Sequence, residues 1–183
     1  PGGGIYRNVW LTKTAPVHVG QWGTCVTTRD ATPATATLDL TVTIANDTAT
    51  DTTVSVASEV FALDTTGEKT GTAVASFTPI AQSIAAGASA TVNSTTTLAS
   101  PKLWGPPPTQ QPHRYVAATT VTQDGKVVDV YETRFGIRSL RFDANQGLLV
   151  NGERIQIRGV NQHHDLGALG AAFNVRAAQR QLE

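Results

Sequence analysis

A strict alternation of apolar and polar residues over Leu38–Ile44 constrains the fold of this chain more than any other feature. The apolar positions are Leu38, Leu40, Val42 and Ile44. The polar positions that alternate with them are Asp39, Thr41 and Thr43. Successive side chains of a strand point to opposite faces, so a period of two predicts a strand with one buried face. The pattern returns over Val54–Ala62, and Ala45–Thr48 between the two strands carries turn residues.

Similar short segments continue along the chain. Five further strands are predicted, at His18–Thr27, Thr72–Pro79, Ala90–Leu98, Tyr115–Gln123 and Lys126–Phe135. The last two flank Asp124-Gly125, a dipeptide that tolerates the positive φ angles of a tight hairpin turn. Short strands with regular turn signals and no helical periodicity predict an all-β, immunoglobulin-like sandwich over residues 9–138. Residues 1–8 are then a linker from an upstream domain.

The pattern changes in residues 139–183. Leu148–Val150, the turn dipeptide Asn151-Gly152 and Arg154–Val160 predict strand, turn and strand. A polar loop follows, and Asn174 then caps a helix whose apolar residues recur at helical spacing. A strand, a loop and a helix form the opening of a βα unit, which cannot bury both of its faces alone. This segment is therefore predicted to start a larger parallel sheet or barrel.

Composition excludes several classes of function. The 183 residues carry 14 Lys and Arg against 14 Asp and Glu, so no basic face for nucleic acid or anionic membrane is expected. No apolar run approaches the length of about 20 residues that spans a bilayer.

The single cysteine, Cys25, is predicted to be a buried thiol without a disulfide. The compartment stays open, with the periplasm or secretion favoured for a bacterial parent.

Three tryptophans have two possible roles. Exposed aromatic rings in loops can stack on sugars, whereas buried rings contribute large apolar area to a core. We expect Trp104 to close the end of the sandwich core, and the same buried role is expected for Trp10 and Trp22.

The segment after the predicted strand Arg154–Val160 is the densest polar cluster in the sequence. Asn161, His163, His164 and Asp165 offer donors and acceptors that suit sugar hydroxyls, at the end of a strand where α/β folds bind ligands. A metal site is a weaker alternative, because adjacent histidines on an extended segment point to opposite sides and no third ligand is evident. Satisfaction of the loop backbone is a third possibility.

Four motifs in order resemble glycoside hydrolase family 2, whose members join a jelly roll, an immunoglobulin-like sandwich and a (β/α)8 barrel. The motifs are Gly4–Val9, Leu103-Trp104 with Tyr115, Arg134–Arg138, and Leu149–Asn161. In the second, three consecutive prolines and His113-Arg114 depart from the family pattern. The loop 163–172 is most similar to β-galactosidase-like members, with β-glucuronidase and β-mannosidase as alternatives within the family.

The resemblance implies a retaining glycosidase that uses two carboxyl groups and no cofactor. The two catalytic Glu residues of the family lie on later barrel strands, so no catalytic residue is expected here and this fragment alone should be inactive. The resemblance assigns His163, Asn161 and Asp165 to substrate binding; Gln162 stands where many relatives have Arg or Lys. The expected partners are a β-galactoside and the rest of the parent enzyme, which the sandwich braces. A stand-alone carbohydrate-binding or adhesion module is the alternative from another class.

Overall fold

A computed structural model describes residues 8–161, 167–170 and 173–183 of the chain. One compact unit covers Thr14–Gln156, and the rest of the chain forms a second, smaller unit. The first unit begins with seven strands: β1 Val17–Arg29, β2 Thr35–Asn46, β3 Thr52–Leu63, β4 Lys69–Ile84, β5 Ser89–Ala99, β6 Tyr115–Gln123 and β7 Lys126–Phe135. Each of the seven predicted strands is present, and most are longer than the sequence indicated.

The seven strands form two antiparallel sheets, ordered β1-β2-β5 and β4-β3-β6-β7. The buried residues of both sheets belong to one hydrophobic cluster, so the sheets enclose a common core. The all-β class with antiparallel sheets is therefore confirmed, and the arrangement fits a sandwich. The boundaries at residues 9 and 138 and the barrel start over 139–183 stay predictions.

Alternation along β2 and β3 accounts for the core. Every second residue of β2 from Ala36 to Asn46 is buried, and the residues between them are only partly covered. The predicted inward face of β3 is buried from Val54 to Val60. This face includes one hydroxyl, Ser58, which shares a hydrogen bond with Thr119 of β6 at 2.8 Å. The pair satisfies two polar groups that would be costly to bury alone.

Asn46 organises the crossing from the first sheet to the second. Its side chain is fully buried. Its Nδ2 donates to the carbonyls of Thr50, Ile84 and Ala85 at 2.9, 3.2 and 3.1 Å. Its Oδ1 accepts from the amide of Thr48 at 3.1 Å and from the hydroxyl of Thr48 at 2.6 Å. The predicted turn after β2 is thus built around one amide side chain that reaches both neighbouring loops.

Both predicted tight turns have the expected backbone. Asp124 and Gly125 have φ angles of 49° and 74°, and Asn151 and Gly152 have φ angles of 54° and 80°. Two consecutive residues with positive φ define the type I′ turn that joins hairpin strands. The predicted hairpin β6–β7 and the predicted turn at Asn151-Gly152 are therefore confirmed.

The edge strand β1 departs from the prediction. Its register shifts between Val19 and Thr24, so that the four residues 20–23 stand opposite Thr43. Trp22 lies in this bulge with a φ of 51° and an exposed fraction of 84%. The predicted burial of Trp22 is wrong, because the bulge turns its side chain away from the core. Trp10, at 82% exposed, and Cys25 are also on the surface, so their predicted burial is wrong as well.

Three short strands follow the sandwich in the same compact unit: β8 Leu140–Asp143, β9 Gly147–Val150 and β10 Glu153–Arg154. They form an antiparallel sheet in the order β10-β9-β8. The predicted strand Arg154–Val160 is wrong, because the strand ends at Arg154 and the following residues have no regular structure. Ile157 and Val160 are 77% and 82% exposed, so no other element among the described residues buries these two apolar side chains.

The second unit contains the predicted helix. A 3₁₀ turn covers Gly167–Leu169, and helix α1 covers Val175–Leu182. The side chain of Asn174 accepts a hydrogen bond from the amide of Ala177 at 3.0 Å. This is the N-cap that the sequence predicted, because the amide of the third helical residue has no partner inside the helix.

Candidate functional site

The three predicted substrate-binding residues differ in what the structure says of them. Asn161 is exposed and lies in the irregular segment after β10. His163 and Asp165 lie outside the described residues. Their assignment to substrate binding therefore stays a prediction.

Residues 136–138, directly after β7, contact the Leu103-Trp104 segment. The Trp104 amide donates to the carbonyl of Ile137 at 2.8 Å, and Ile137 is fully buried. A Cβ on Gly136 would lie 2.8 Å from the Trp104 Cβ, so a glycine is needed for this approach. The guanidinium of Arg138 lies over the Trp104 ring, 5.0 Å from its centroid. Trp104 is half-buried here and does not belong to the core cluster, so its predicted place in the core is wrong.

Asn151, in the β9–β10 turn, connects the same region to the short sheet. Its amide donates to the carbonyl of Ser139 at 3.0 Å, and its Oδ1 accepts from the Ser139 amide at 3.0 Å. Its Nδ2 donates to the carbonyl of Trp104 at 2.9 Å and to Oε1 of Gln110 at 2.8 Å. Residues far apart in sequence thus meet at one turn, which we call the Asn151 junction (Trp104, Gln110, Ser139 and Asn151).

An open cleft of about 690 Å³ lies at the end of the sandwich. Its lining includes Asp64, Lys102, His113, Arg114 and Tyr115. The Tyr115 hydroxyl accepts from the Lys102 amide at 2.8 Å, and burial raises the pKa of this tyrosine. Lys102 and Arg114 outnumber the single carboxylate, Asp64, so this end of the sandwich suits anionic groups better than cations.

The acid in this cleft is not suited to proton donation at a sugar oxygen. A hydrogen bond from the Thr66 hydroxyl, followed by one from the amide of Glu68, lowers the pKa of Asp64. The amides of Thr66 and Gly67 also donate to the same carboxylate. A general acid in a glycosidase needs a raised pKa, so Asp64 shapes the β3–β4 turn instead.

On the outer face of the first sheet, Asp39 accepts hydrogen bonds from Arg29 Nη2 at 2.9 Å and Thr95 Oγ1 at 2.7 Å. The bond from the Arg29 guanidinium, then that from Thr95, lowers its pKa to about 2. The described residues contain no group of three or more His, Cys, Asp and Glu arranged to hold a metal ion. Within the same part of the chain, no helix is long and apolar enough to cross a membrane.

Residues 17–138, two thirds of the chain, match the model of "Glycosyl hydrolases family 2". The chain belongs to glycosyl hydrolases family 2. The family that the sequence motifs indicated is thereby confirmed, and two of the four motifs, Leu103-Trp104 with Tyr115 and Arg134–Arg138, lie within the matched residues. The matched residues begin with β1 and end with Arg138, directly after the Gly136-Ile137 pair that holds Trp104.

Two curated relatives and one solved structure extend this family 2 assignment. The chain is 40% identical over 182 residues to beta-galactosidase BoGH2A of Bacteroides ovatus, covering 100% of the chain and 20% of the relative. It is 28% identical over 181 residues to a beta-glucuronidase of Formosa agariphila, covering 93% of the chain and 17% of that relative. The structure of Bacteroides uniformis beta-glucuronidase 2, covalently bound to cyclophellitol-6-carboxylate aziridine, superposes with a TM-score of 0.83 at 25% identity. That superposition covers 98% of this chain and 21% of the other. The chain thus spans about a fifth of the length of these family 2 proteins.

Sequence reasoning missed Gln110, a member of the Asn151 junction whose side chain bonds to Val150, Asn151 and Glu153. Its segment reads Gly105-Pro106-Pro107-Pro108-Thr109-Gln110, which indicated only a stiff extended loop. A lone Gln in a proline-rich loop has no periodicity to mark it. The only available signal was Gly105, since a glycine before a proline run permits close approach of another side chain.

Proposed function

We propose that this chain is part of a retaining β-glycosidase that removes terminal β-galactosyl residues. The observation that carries the proposal is the 40% identity to a beta-galactosidase over the whole chain. Family 2 membership supports the glycosidase class, and the identity to BoGH2A supports the choice of sugar.

The reaction uses two carboxyl groups that are expected outside this chain. One protonates the leaving oxygen, and the other attacks the anomeric carbon to form a glycosyl-enzyme that water then hydrolyses. The covalent complex of the Bacteroides uniformis relative supports this proposal, because covalent capture by a cyclophellitol aziridine is the behaviour expected of an enzyme with a nucleophile.

The contribution of this chain is to bind and orient the sugar. Asn161, His163 and Asp165 supply an amide, an imidazole and a carboxylate, which can donate to and accept from sugar hydroxyls. Interactions of this kind increase the rate when they strengthen in the transition state. In this proposal the sandwich braces the barrel, and the Asn151 junction holds the start of the segment that carries Asn161.

A β-glucuronidase is the second candidate, since the Formosa agariphila relative and the Bacteroides uniformis structure both carry that name. A β-glucuronyl group carries a carboxylate at C6 where a galactosyl group carries a hydroxymethyl group, and its C4 hydroxyl has the opposite configuration, so a cationic side chain near C6 favours the glucuronide. The two candidates can therefore be distinguished by whether the enzyme prefers a neutral galactoside or an anionic glucuronide.

The test is hydrolysis of aryl β-galactoside, β-glucuronide, β-mannoside and β-glucoside by the full-length parent. We expect cleavage of the galactoside and none by the 183-residue fragment. Preferential cleavage of the glucuronide would replace the sugar assignment, and a parent silent on all four would refute the glycosidase proposal. Direct binding of galactosides by the inactive fragment through Trp22 would favour a carbohydrate-binding module instead.

The role of the loop is tested by His163→Ala in the parent, with His164→Ala as the matched control. The family resemblance assigns His163, and not His164, to the sugar subsite, so His163→Ala is expected to have the larger effect. His163→Ala should lower kcat/KM by about 100-fold, as for a group that contacts the reacting sugar. Equal effects of the two substitutions would contradict the assignment of His163.

A further inference from the structure

Gln110 is bound from three sides although it lies in an irregular loop. Its Nε2 donates to the carbonyl of Val150 at 2.9 Å and to Oε2 of Glu153 at 3.1 Å. Its Oε1 accepts from Nδ2 of Asn151 at 2.8 Å. One amide therefore contacts the last residue of β9, the turn and the first residue of β10.

The proline-rich loop is shaped around this side chain. A Cβ on Gly105 would lie 1.9 Å from the Gln110 Oε1 and 2.5 Å from its Cβ, so only glycine fits at this position. The Gly105 amide donates to the carbonyl of Gln111 at 2.9 Å, and the Gln110 amide donates to the carbonyl of Pro106 at 3.2 Å. Two backbone hydrogen bonds and a close contact thus hold Gln110 against the β9–β10 hairpin.

The hairpin needs this support because it is short. β10 has two residues, which pair with Val150 and Leu149 of β9, and the amide of Ile155 donates to the carbonyl of Leu148 at 2.8 Å. β10 is an edge strand of the three-stranded sheet β10-β9-β8, and only these two residue pairs attach it to β9. After Ile155 the chain runs without regular structure to Asn161. The hairpin therefore sets the point from which the chain continues to Asn161.

We infer that Gln110 is a positioning residue for the substrate-binding segment that follows β10: by clamping Val150, Asn151 and Glu153, it fixes the origin of the segment that carries Asn161. This inference rests on the proposed function, in which Asn161 helps to shape the sugar subsite. Gln110 does not touch the sugar and acts through the hairpin.

The test compares Gln110→Ala with Gln111→Ala in the full-length parent. Gln111 is the matched control because it is the adjacent residue of the same type, is exposed, and makes no side-chain hydrogen bond to any described residue. Gln110→Ala should lower kcat/KM on an aryl β-galactoside by about 10-fold at a temperature well below Tm, since a small misplacement of a binding group is costly. Amide exchange in residues 148–156 should increase, whereas Gln111→Ala should change neither quantity.

Exchanging the charge between Gln110 and Glu153 distinguishes a positioning role of Gln110 from a general contribution to stability. Gln110→Glu places a second carboxylate against Glu153, and should damage kcat/KM at least as much as Gln110→Ala. Adding Glu153→Gln restores a donor and an acceptor across the pair, so the double variant should recover at least threefold of the loss. If Gln110 contributed only packing, adding Glu153→Gln to Gln110→Glu would not restore kcat/KM. This variant also serves if Gln110→Ala fails to fold.

The outcomes are distinguishable from failure of the proposed function. A parent without glycosidase activity refutes the proposed function and the substrate-positioning role with it. If the wild-type parent is active and Gln110→Ala retains its kcat/KM, the positioning inference alone is overturned. Unchanged amide exchange in residues 148–156 of Gln110→Ala would overturn it as well, whatever the kinetics.

Discussion

Removing the Asn46 side chain tests whether one buried amide holds the crossing between the two sheets. Its two N–H groups are shared among three carbonyls, and its Oδ1 accepts from the amide and hydroxyl of Thr48. Asn46→Ala removes the two bonds that its N–H groups donate and the two that its Oδ1 accepts, and each is worth about 1 kcal/mol net. We expect the free energy of unfolding of the chain to fall by about 4 kcal/mol.

The assay is urea denaturation of the chain, followed by circular dichroism in the β region. Asn93→Ala is the control, because Asn93 is exposed on β5 and its Oδ1 accepts one hydrogen bond, from the Thr41 hydroxyl at 2.8 Å. The control should change the unfolding free energy by about 0.5 kcal/mol or less. A loss below about 1 kcal/mol for Asn46→Ala would refute the argument that these contacts support the crossing.

The isosteric change Asn46→Asp adds a dependence on pH. A buried carboxylate facing three carbonyls has its pKa raised above the unfolded value, because the charged form is desolvated and repelled. The neutral acid can still donate one hydrogen bond, so the stability of this variant is highest below the unfolded pKa and falls as pH rises through the folded pKa. The difference from wild type should thus be larger at pH 7 than at pH 4, and the opposite order would contradict the burial of this side chain.

Three further predictions concern packing, exposure and charge. Gly136→Ala should cost about 1–3 kcal/mol, because its Cβ would lie 2.8 Å from the Trp104 Cβ; Gly159→Ala, with open space around it, should leave the urea midpoint unchanged. Cys25 is exposed, so a thiol reagent should label it in native buffer as fully as in denaturant, and protection would contradict the surface position. Hydrogen bonding lowers the pKa of Asp39 to about 2, so its contribution to stability is present above pH 3.8 and lost as pH falls towards 2. Asp39→Asn should remove that part of the acid dependence of the urea midpoint.

Local pattern predicted most of the sandwich. The alternation in β2 and β3 identified which side chains face the core, because the period of a strand is a property of the backbone alone. The dipeptides Asp124-Gly125 and Asn151-Gly152 located two hairpins, since few residues accept consecutive positive φ angles. Asn174 located the start of α1 for a similarly local reason, namely the unpaired amides of the first helical turn.

The candidate site was predictable only in part. The family motifs indicated Asn161, His163 and Asp165 as substrate-binding residues; Asn161 is exposed after β10, and the other two lie outside the described residues. Gln110 was not predicted, because its partners Val150, Asn151 and Glu153 are distant in sequence and no local pattern brings them to it.

The sequence by itself determined the elements whose stability depends on nearest neighbours: the strands, the tight turns and the capped helix. The tertiary structure decided the properties that depend on distant partners. The bulge opposite Thr43 exposes Trp22, and the pairing of β10 with β9 ends at Arg154. The Asn151 junction likewise exists only because the loop after Gly105 and the β9–β10 turn meet in space. Side-chain burial and hydrogen bonding across such distances depend on the whole packed chain, whereas backbone periodicity does not.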